Sequence, residues 1–519
     1  DTDMDSYIPS KPDSGKASRL LASLEMFSMI DKFDLGKADD QSVETVSVPI
    51  KHVDSFSEIT VGEKAYFVPE FSDGDITSVA FDCGEYIAVI ENDSFTFASE
   101  LAEILSDEKI EKITCDAKNL YSWAFKRDVQ IRGKISDIMI AGYILNPSAS
   151  DYSPVRMAQE YGAACPEIGE ENDTALKAAA LRGAWEKVIE KIEENDQLPL
   201  LYDIEMPLSK VLSSMEVTGF LVDRESIQQY GAVLEANVNE LVTKIYDLAG
   251  EEFNINSPKQ LGTVLFEKLQ LPAKKKTKSG YSTNADVLES LAPDYPIVSL
   301  ILEYRTLAKL KSTYCDGLQK CIAPDGRIHS TLNQTETKTG RISSTEPNLQ
   351  NIPVRTPIGR ELRKFFIAKD GCVLVDADYS QIELRVLSDI ANDETMISAF
   401  NNVDDIHTIT ASQVFNMPVE AVTPLMRSRA KAVNFGIVYG IGAFSLAHDI
   451  GVSRAEADKY IKGYLHHFSG VERYMKDVIA KAKEDGYVQT LFKRRRYLPE
   501  LAASNAIIRN FGERVARNM

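Results

Sequence analysis

The sequence predicts a multidomain protein with an α/β part followed by an α+β part, and three observations support this fold class. The chain has 519 residues, enough for three or four ordinary domains. Between about 46 and 200, short β-rich runs alternate with helical stretches, as in an α/β domain. From about 201 the helical stretches lengthen, and β-rich runs predicted as strands at 328–334 and 372–378 return before a second helical region.

The net charge of −20 argues at first against a nucleic-acid partner. However, residues 1–200 hold 19 Lys and Arg against 39 Asp and Glu, whereas residues 201–519 hold 39 of each. Basic residues in the second part cluster at 274–278 and 493–496. Such patches form a footprint for phosphates, although a solvated loop or helix face is an equal alternative for each cluster.

Cysteine usage and hydropathy indicate the compartment. The six cysteines include no Cys-x-x-Cys pair, which predicts reduced, mostly buried thiols rather than a metal site or disulfides. No apolar run is long enough to span a membrane, and the chain opens on Asp1 without a signal segment. We therefore expect a soluble, cytoplasmic protein without a membrane partner.

One segment with chemical potential is residues 373–385, where an apolar run ends in Asp376 and Asp378 and passes directly into a helical pattern. Side chains alternate along a strand, so the two carboxylates are expected to share one face. Carboxylates at a strand end suit Mg²⁺, which prefers hard oxygen ligands. Taken alone, the Asp-x-Asp pattern fits a solvated strand end better than a metal site.

A second segment places Arg427, Lys431, Phe435 and Tyr439 four residues apart. On a helix they form a slowly winding stripe about 18 Å long, cationic at its N-terminal end and aromatic at its C-terminal end. A nucleoside triphosphate has the complementary layout, with phosphates for the cations and sugar and base for the rings. The alternative is an amphipathic helix whose aromatic residues belong to the core.

The third segment, residues 339–353, is a polar, amide-rich loop with Arg341 behind a glycine. Arg, Asn and Gln side chains suit minor-groove acceptors and sugar–phosphate contacts. A turn-rich structural loop is the alternative.

In this order, the three segments resemble the family A DNA polymerases. Residues 253–261 and 276–283 are similar to the thumb of that family, and 405–408 to its segment with a phosphate-binding His. The resemblance implies a degenerate, ribonuclease-H-like 3′→5′ exonuclease domain followed by a right-hand polymerase with an incomplete palm. The predicted parts are a linker and connector helix at 1–45, the exonuclease-like domain at 46–200, and the polymerase at 201–519, with the thumb at about 205–325 and palm and fingers at about 326–519.

The resemblance also implies an activity, which is template-directed DNA synthesis in replication and repair. Deoxynucleoside triphosphates would be added to a primer 3′-hydroxyl with two Mg²⁺ ions. Asp378 would bridge the ions with Asp376 as a helper or bystander, and Lys431 would stabilise or protonate the leaving pyrophosphate. Other nucleotide-binding residues implied are Gln381, Glu383, His407, Arg427, Phe435 and Tyr439, and the primer–template contacts are Arg341, Asn348, Gln350, Arg514 and Asn518. We expect a monomer that works at the bacterial nucleoid.

Proofreading is expected to be absent. Of the family's Asp-x-Glu on the first strand only Glu70 matches, because Val68 stands in place of the Asp. A rival alignment at 82–85 has an acidic spacing one residue too long. The Asp of the second motif is replaced by Leu120, and the helix at 176–194 lacks the Tyr and Asp of the third.

The family's last palm motif, which supplies the other metal-binding aspartate, and its 5′ nuclease domain are not found in residues 1–519. We therefore expect this polypeptide to bind primer–template weakly without appreciable extension. A non-catalytic DNA-binding remnant and a single-subunit RNA polymerase are the other hypotheses. Glu383 argues against the RNA polymerase, since a block to the ribose 2′-hydroxyl does not suit ribonucleotide substrates.

Overall fold

The computed structural model describes residues 47–164, 167–168, 172–273, 276–277, 280–353, 357–402 and 405–518, together with positions 17, 21, 29, 32 and 33. The linker and connector helix predicted at 1–45 therefore fall almost entirely outside the described residues. The described residues form two compact units. The first contains those up to 211, 334–342 and 376 onwards, and the second contains 212–333 and 343–375. The predicted domain boundaries stay predictions.

The first unit begins with a six-stranded mixed sheet of order β2-β5-β4-β3-β6-β7. Strands β3, β4 and β5 are antiparallel to one another, whereas β2 pairs with β5 and β6 pairs with β3 and β7 in parallel. A separate short pair joins β1 and β8. The strands are β1 Ser47–Val48, β2 Ile50–His52, β3 Lys64–Ser72, β4 Asp75–Asp82, β5 Ile87–Glu91, β6 Glu111–Thr114, β7 Ile135–Asp137 and β8 Glu167–Ile168.

Helices alternate with these strands along the chain. A π-helical turn at Leu200–Glu205 separates the last two helices, Asp173–Glu194 and Met206–Thr218. The longest, α5, lies on β3 and β4. Its buried face is rich in alanine, so the helix axis can approach the sheet closely. This alternation of strands and helices confirms the α/β prediction. The helices are α1 Phe97–Ser106, α2 Ala117–Lys126, α3 Ile138–Leu145, α4 Pro154–Tyr161, α5 Asp173–Glu194 and α6 Met206–Thr218.

The second unit is mainly helical. Helix α7 (Arg224–Ala249) packs against α10 (Pro296–Leu310) around a core that includes Leu234, Leu265 and Ile301. The strand predicted at 328–334 is two short strands, which pair with β9 and β14. Its elements are β9 Phe220–Leu221, α7 Arg224–Ala249, α8 Pro258–Gly262, β10 Lys276–Thr277, β11 Gly280–Tyr281, α9 Ala285–Glu289, α10 Pro296–Leu310, α11 Gly317–Lys320, β12 Arg327–Ile328, β13 Thr331–Asn333, β14 Ser343–Thr345 and α12 Pro357–Arg363, with π-helical turns at Thr263–Lys268 and Lys311–Asp316.

The remainder of the first unit is a helical layer whose core includes Leu384, Met396, Val433 and Phe468. Helix α15 (Ile406–Phe415) packs against both α16 (Pro424–Val438) and α18 (Arg454–His467). This packing fixes the orientation of α16. The elements are α13 Ile382–Ile390, α14 Glu394–Asn401, α15 Ile406–Phe415, α16 Pro424–Val438, α17 Ala443–Ile450, α18 Arg454–His467, α19 Ser469–Asp485, β15 Tyr487–Gln489, β16 Arg495–Tyr497 and α20 Ala506–Arg517.

The described cysteines are free thiols. Cys115 and Cys315 are buried, Cys83 and Cys321 are half-buried, and Cys372 is exposed, so burial is less general than predicted. None of the described helices is both long and apolar enough to cross a bilayer.

Candidate nucleotide and nucleic-acid site

The segment before α13 forms no strand, so the strand predicted at 372–378 is wrong. A strand exists only when its backbone groups pair with a neighbour, and no described segment pairs with this one. Val373, Leu374 and Val375 are therefore exposed despite their apolar side chains. Asp376 and Asp378 are exposed as well, and neither forms an ion pair within the described part of the chain.

Glu383, in the first turn of α13, is the centre of a polar cluster. The Tyr439 hydroxyl lies 2.7 and 2.6 Å from its two carboxylate oxygens. Arg341 Nη2 donates to the same carboxylate at 3.2 Å. Burial raises the pKa of Tyr439, and the bond to Glu383 adds to the effect, so the phenol stays a donor at neutral pH. Gln381 caps α13 in the left-handed region at φ 54°, and its buried Oε1 has no partner among the described residues.

Helix α16 presents the cationic and aromatic stripe. Thr423 caps its start by accepting the Met426 N–H, and Pro424 occupies the first turn, where no backbone donor is needed. Ala430, Val433 and Ile437 bury one face. The opposite face carries exposed Arg427 and Lys431, half-buried Phe435 and, just after the last turn, Tyr439. Lys431 Nζ lies 6.0 Å from the Phe435 ring centroid and makes no ion pair within the described residues.

Arg427 is not free in this arrangement, because its Nε donates to Asp405 Oδ2 at 2.5 Å. Asp405 caps α15 by accepting the His407 backbone N–H and the Thr408 hydroxyl. Burial raises the pKa of the Asp405 carboxyl, but hydrogen bonds from Arg427, Thr408 and the His407 N–H outweigh it and hold this pKa at about 2. The carboxylate is therefore ionised at any physiological pH and offsets the charge of Arg427.

His407 is buried between α15 and α16. Asn434 Nδ2 donates to His407 Nδ1 at 2.8 Å, and Asn434 Oδ1 accepts from Thr410 at 3.0 Å, which sets the direction of the amide. The His407 hydrogen therefore lies on Nε2. Burial lowers the pKa of His407 more than nearby Asp405 raises it, so the ring is neutral at pH 7. A neutral imidazole with Nε2–H can still donate to a phosphate oxygen.

The predicted primer–template residues are divided between the two units. Arg341, Arg514 and Asn518 belong to the first unit, and Asn348 and Gln350 to the second. Asn348 Oδ1 accepts from the Gln350 N–H at 3.0 Å and so starts the 3₁₀ turn Leu349–Asn351. All five side chains are exposed.

Arg514 on α20 packs against the turn that follows α16. Gly440 in this turn has φ +68°, and a Cβ there would lie 2.8 Å from Arg514 Cγ. The turn therefore requires glycine both for its backbone conformation and for this close approach.

We expect Gly440→Ala to destabilise the protein by about 1–2 kcal/mol, because alanine is strained in the left-handed region and would collide with Arg514. The matched control is Gly463→Ala inside α18, where a Cβ meets no atom within 4 Å. That substitution should be neutral or stabilising, as alanine favours helix. Thermal unfolding measures both, and equal midpoints for the two variants would contradict the account of this turn.

The basic cluster at 493–496 is not a surface patch. Arg494 is buried in an ion pair with Glu205, Arg495 Nη1 donates to Asn195 Oδ1 at 2.5 Å, and Lys493 lies 3.5 Å from Asp196. These contacts anchor the β15–β16 hairpin.

The candidate metal ligands at this site are the carboxylates of Asp376 and Asp378. No group of three or more His, Cys, Asp and Glu side chains with metal-binding geometry occurs among the described residues. Asp376 and Asp378 nevertheless supply exposed hard oxygen donors, and Mg²⁺ is commonly held by one or two carboxylates while water and phosphate complete its shell. The donor set thus fits a divalent ion of this kind.

The exonuclease-like positions are occupied by core residues. Val68 and Leu120 are 2% and 0% exposed. Glu70 Oε2 accepts from Ser78 at 3.0 Å and Thr174 at 3.1 Å. Asp82, the rival candidate, is paired with Arg182 at 2.7 Å.

Comparison with known proteins decides the family. The model of DNA polymerase family A matches residues 224–519, more than half of the chain. The chain belongs to DNA polymerase family A. A second model, described as DNA polymerase I, ribonuclease H-like domain, matches residues 67–171. The predicted fold class, a ribonuclease-H-like domain with a family A polymerase region, is thereby confirmed.

Relatives within family A extend the likeness over most of the chain. It is 42% identical to DNA polymerase I of Bacillus subtilis (strain 168) over 92% of this chain and 57% of that protein. It is 40% identical to DNA polymerase I of Geobacillus stearothermophilus over 99% of this chain and 61% of that protein. The chain thus spans about three fifths of these relatives. It also resembles the POL domain of Pol1 from M. smegmatis in complex with DNA primer-template and dNTP, with a TM-score of 0.81, 34% identity, and coverage of 91% and 85%.

Two residues of the candidate site were not predicted, Asp405 and Asn434. Asp405 carried a signal, because Asp is a preferred residue at the N-cap position of a helix. Asn434 carried none, since its role depends on α15 and α16 packing together.

Proposed function

We propose that this chain is a polymerase region for template-directed DNA synthesis, in which deoxynucleotides are added to a primer 3′-hydroxyl in replication and repair. The observation that carries the proposal is helix α16, which exposes Arg427 and Lys431 at one end and places Tyr439 on Glu383 at the other. Cations in water-accessible positions bind phosphates, and the half-buried Phe435 between them and Tyr439 offers an apolar surface to a sugar. Family membership supports the same activity.

Selection of deoxynucleotides would come from Glu383. Tyr439 and Arg341 hold its carboxylate in one place, so a group at the ribose 2′ position would meet a fixed obstacle. Rejection is stronger when the blocking group cannot move away.

Asp378, with Asp376 as a further oxygen donor, would hold the divalent ions. When bound, Mg²⁺ activates the primer hydroxyl and offsets the charge of the triphosphate. Lys431 would hold the outer phosphates and stabilise or protonate the pyrophosphate as it leaves. His407 Nε2–H would donate to the same phosphates, and Gln381, whose buried Oε1 lacks a partner among the described residues, would gain one from the substrate.

The proposed partners are primer–template DNA and deoxynucleoside triphosphates, the molecules named for the M. smegmatis Pol1 complex. Exposed Arg341, Arg514 and Asn518 would contact DNA from the first unit, and Asn348 and Gln350 from the second. The monomeric state and the nucleoid location stay predictions.

We expect residues 1–519 alone to bind primer–template weakly and in a salt-sensitive manner, without appreciable extension. The segment with Asp378 has no strand partner among the described residues, so its carboxylates are not held in one geometry. Primer extension measures the rate, with a chimera that adds the C-terminal palm of a family relative as control. Rapid extension by residues 1–519 would contradict our account of the metal site, whereas no binding by either protein would contradict the function. A non-catalytic DNA-binding remnant predicts that the chimera also fails to extend.

We also expect no 3′→5′ degradation of single-stranded or mismatched ends. Val68 and Leu120 replace two carboxylates, and Glu70 alone cannot hold the two metals of such a nuclease. End-labelled DNA incubated with Mg²⁺ or Mn²⁺ measures release, with Glu70→Ala as the matched variant. Metal-dependent release that Glu70→Ala removes would show that the domain is an active nuclease.

A further inference from the structure

A buried polar network lies where three parts of the first unit meet. Glu205 forms an ion pair with Arg494 of the β15–β16 hairpin, and the two side chains are only 4% and 8% exposed. The second Glu205 oxygen accepts from Gln334 Nε2 at 2.6 Å, and Gln334 Oε1 accepts from Ser209 at 2.6 Å. The network therefore fixes the beginning of the segment Gln334–Ile342.

The same arginine reaches the end of that segment. Gly340 has φ +84°, and a Cβ there would lie 2.5 Å from Arg494 Nε, so the guanidinium packs directly on the residue before Arg341. On its other side, Arg494 Cζ lies 5.3 Å from the Tyr143 ring centroid. The Tyr143 hydroxyl donates to the Thr337 carbonyl at 2.6 Å, and the Thr337 hydroxyl donates to the Arg341 carbonyl at 2.6 Å.

Stability alone does not explain this arrangement. Removing two charges from water is costly, and well-packed apolar residues often stabilise a core as well as a buried ion pair does. An ion pair differs in that it specifies one geometry. Here the ion pair holds the segment that contains Arg341, and the exposed side chain of Arg341 forms an ion pair with Glu383.

We propose that Glu205 and Arg494 are positioning residues for DNA binding, which orient Arg341 through the segment Gln334–Ile342. The exonuclease-like domain, which contributes Tyr143, would then serve primer–template binding as a support for this segment. The inference rests on the proposed function and adds to it a role for a domain that lacks nuclease carboxylates.

The test is the affinity of the 519-residue chain for a fluorescent primer–template duplex, measured by anisotropy at several salt concentrations. Arg341→Ala should weaken binding about five- to tenfold. It should also reduce the salt slope, which is the slope of log affinity against log salt concentration, by about one, as expected for one lost arginine contact. Arg494→Met, which removes the charge but keeps the length, should change both quantities in the same direction. Added to Arg341→Ala, it should cause no further weakening, since its effect passes through Arg341.

The matched control is Arg182→Met, which breaks the Arg182–Asp82 ion pair in the exonuclease-like domain, and it should leave affinity and salt slope unchanged.

If Arg494→Met does not fold, Arg494→Met combined with Glu205→Gln removes both charges, and Tyr143→Phe removes only the bond to Thr337. Weakening by Arg494→Met that adds fully to Arg341→Ala, or an unchanged affinity, would overturn the inference while leaving the proposed function intact. A wild-type chain that does not bind the duplex would overturn both.

Discussion

We expect Asp378→Ala to abolish DNA synthesis in a chimera that joins residues 1–519 to the C-terminal palm of a family relative. The reason is that this carboxylate is the proposed bridge between the divalent ions, whereas Asp376 is proposed only as a helper or bystander. Single-turnover primer extension measures the loss, which should exceed about a thousandfold, or roughly 4 kcal/mol of transition-state stabilisation.

The matched control for Asp378→Ala is Asp376→Ala, two residues away on the same exposed segment. As a helper or bystander, Asp376 should cost much less activity when removed. Duplex binding should be nearly the same for both variants, because neither carboxylate is proposed to contact DNA. Normal extension by Asp378→Ala, or equal losses for the two variants, would refute the catalytic assignment.

Lys431→Ala is expected to have the second largest effect, a loss of about a hundred- to ten-thousandfold in the rate of nucleotide addition. Lys431 is exposed on α16 and is not neutralised by an ion pair within the described residues, whereas Arg427 beside it is paired with Asp405. The full charge of the ammonium is thus available to the phosphates. Single-turnover extension in the same chimera measures the rate.

Two further variants divide the possible roles of Lys431. Lys431→Arg keeps the charge but cannot donate its proton readily, because the guanidinium pKa lies above about 12. A rate close to that of the wild type in Lys431→Arg indicates charge stabilisation, and a rate close to that of Lys431→Ala indicates proton transfer. Ser428→Ala, on an exposed position of the same helix, is the control and should be neutral. Equal rates for Lys431→Ala and Ser428→Ala would remove Lys431 from the mechanism.

Local periodicity indicated helix α16, because a spacing of four residues is a property of contiguous sequence. The alternation of strands and helices before residue 200 was predictable for the same reason. The strand at 372–378 was predicted wrongly. A strand requires a partner, and an apolar run within one segment does not show whether a partner exists.

Contacts between distant residues could not be predicted from one sequence. Arg494 belongs to a basic run that looks like a phosphate footprint, yet its partner Glu205 lies 289 residues away along the chain. His407 was expected to face phosphates, but the structure also gives it a buried bond to Asn434, 27 residues away. In both cases the residue type was informative, and the partner depended on tertiary packing.

The exposed apolar run Val373–Leu374–Val375 has a consequence for handling the protein. Unpaired backbone with exposed apolar side chains can pair with the same segment of another molecule, which is the first step of aggregation. Asp376 and Asp378 follow this run directly, and charged residues beside an apolar run act as gatekeepers against such stacking. Replacing either carboxylate therefore removes a charge that keeps molecules apart. Light scattering must show that Asp378→Ala remains monodisperse before its inactivity is attributed to lost metal binding.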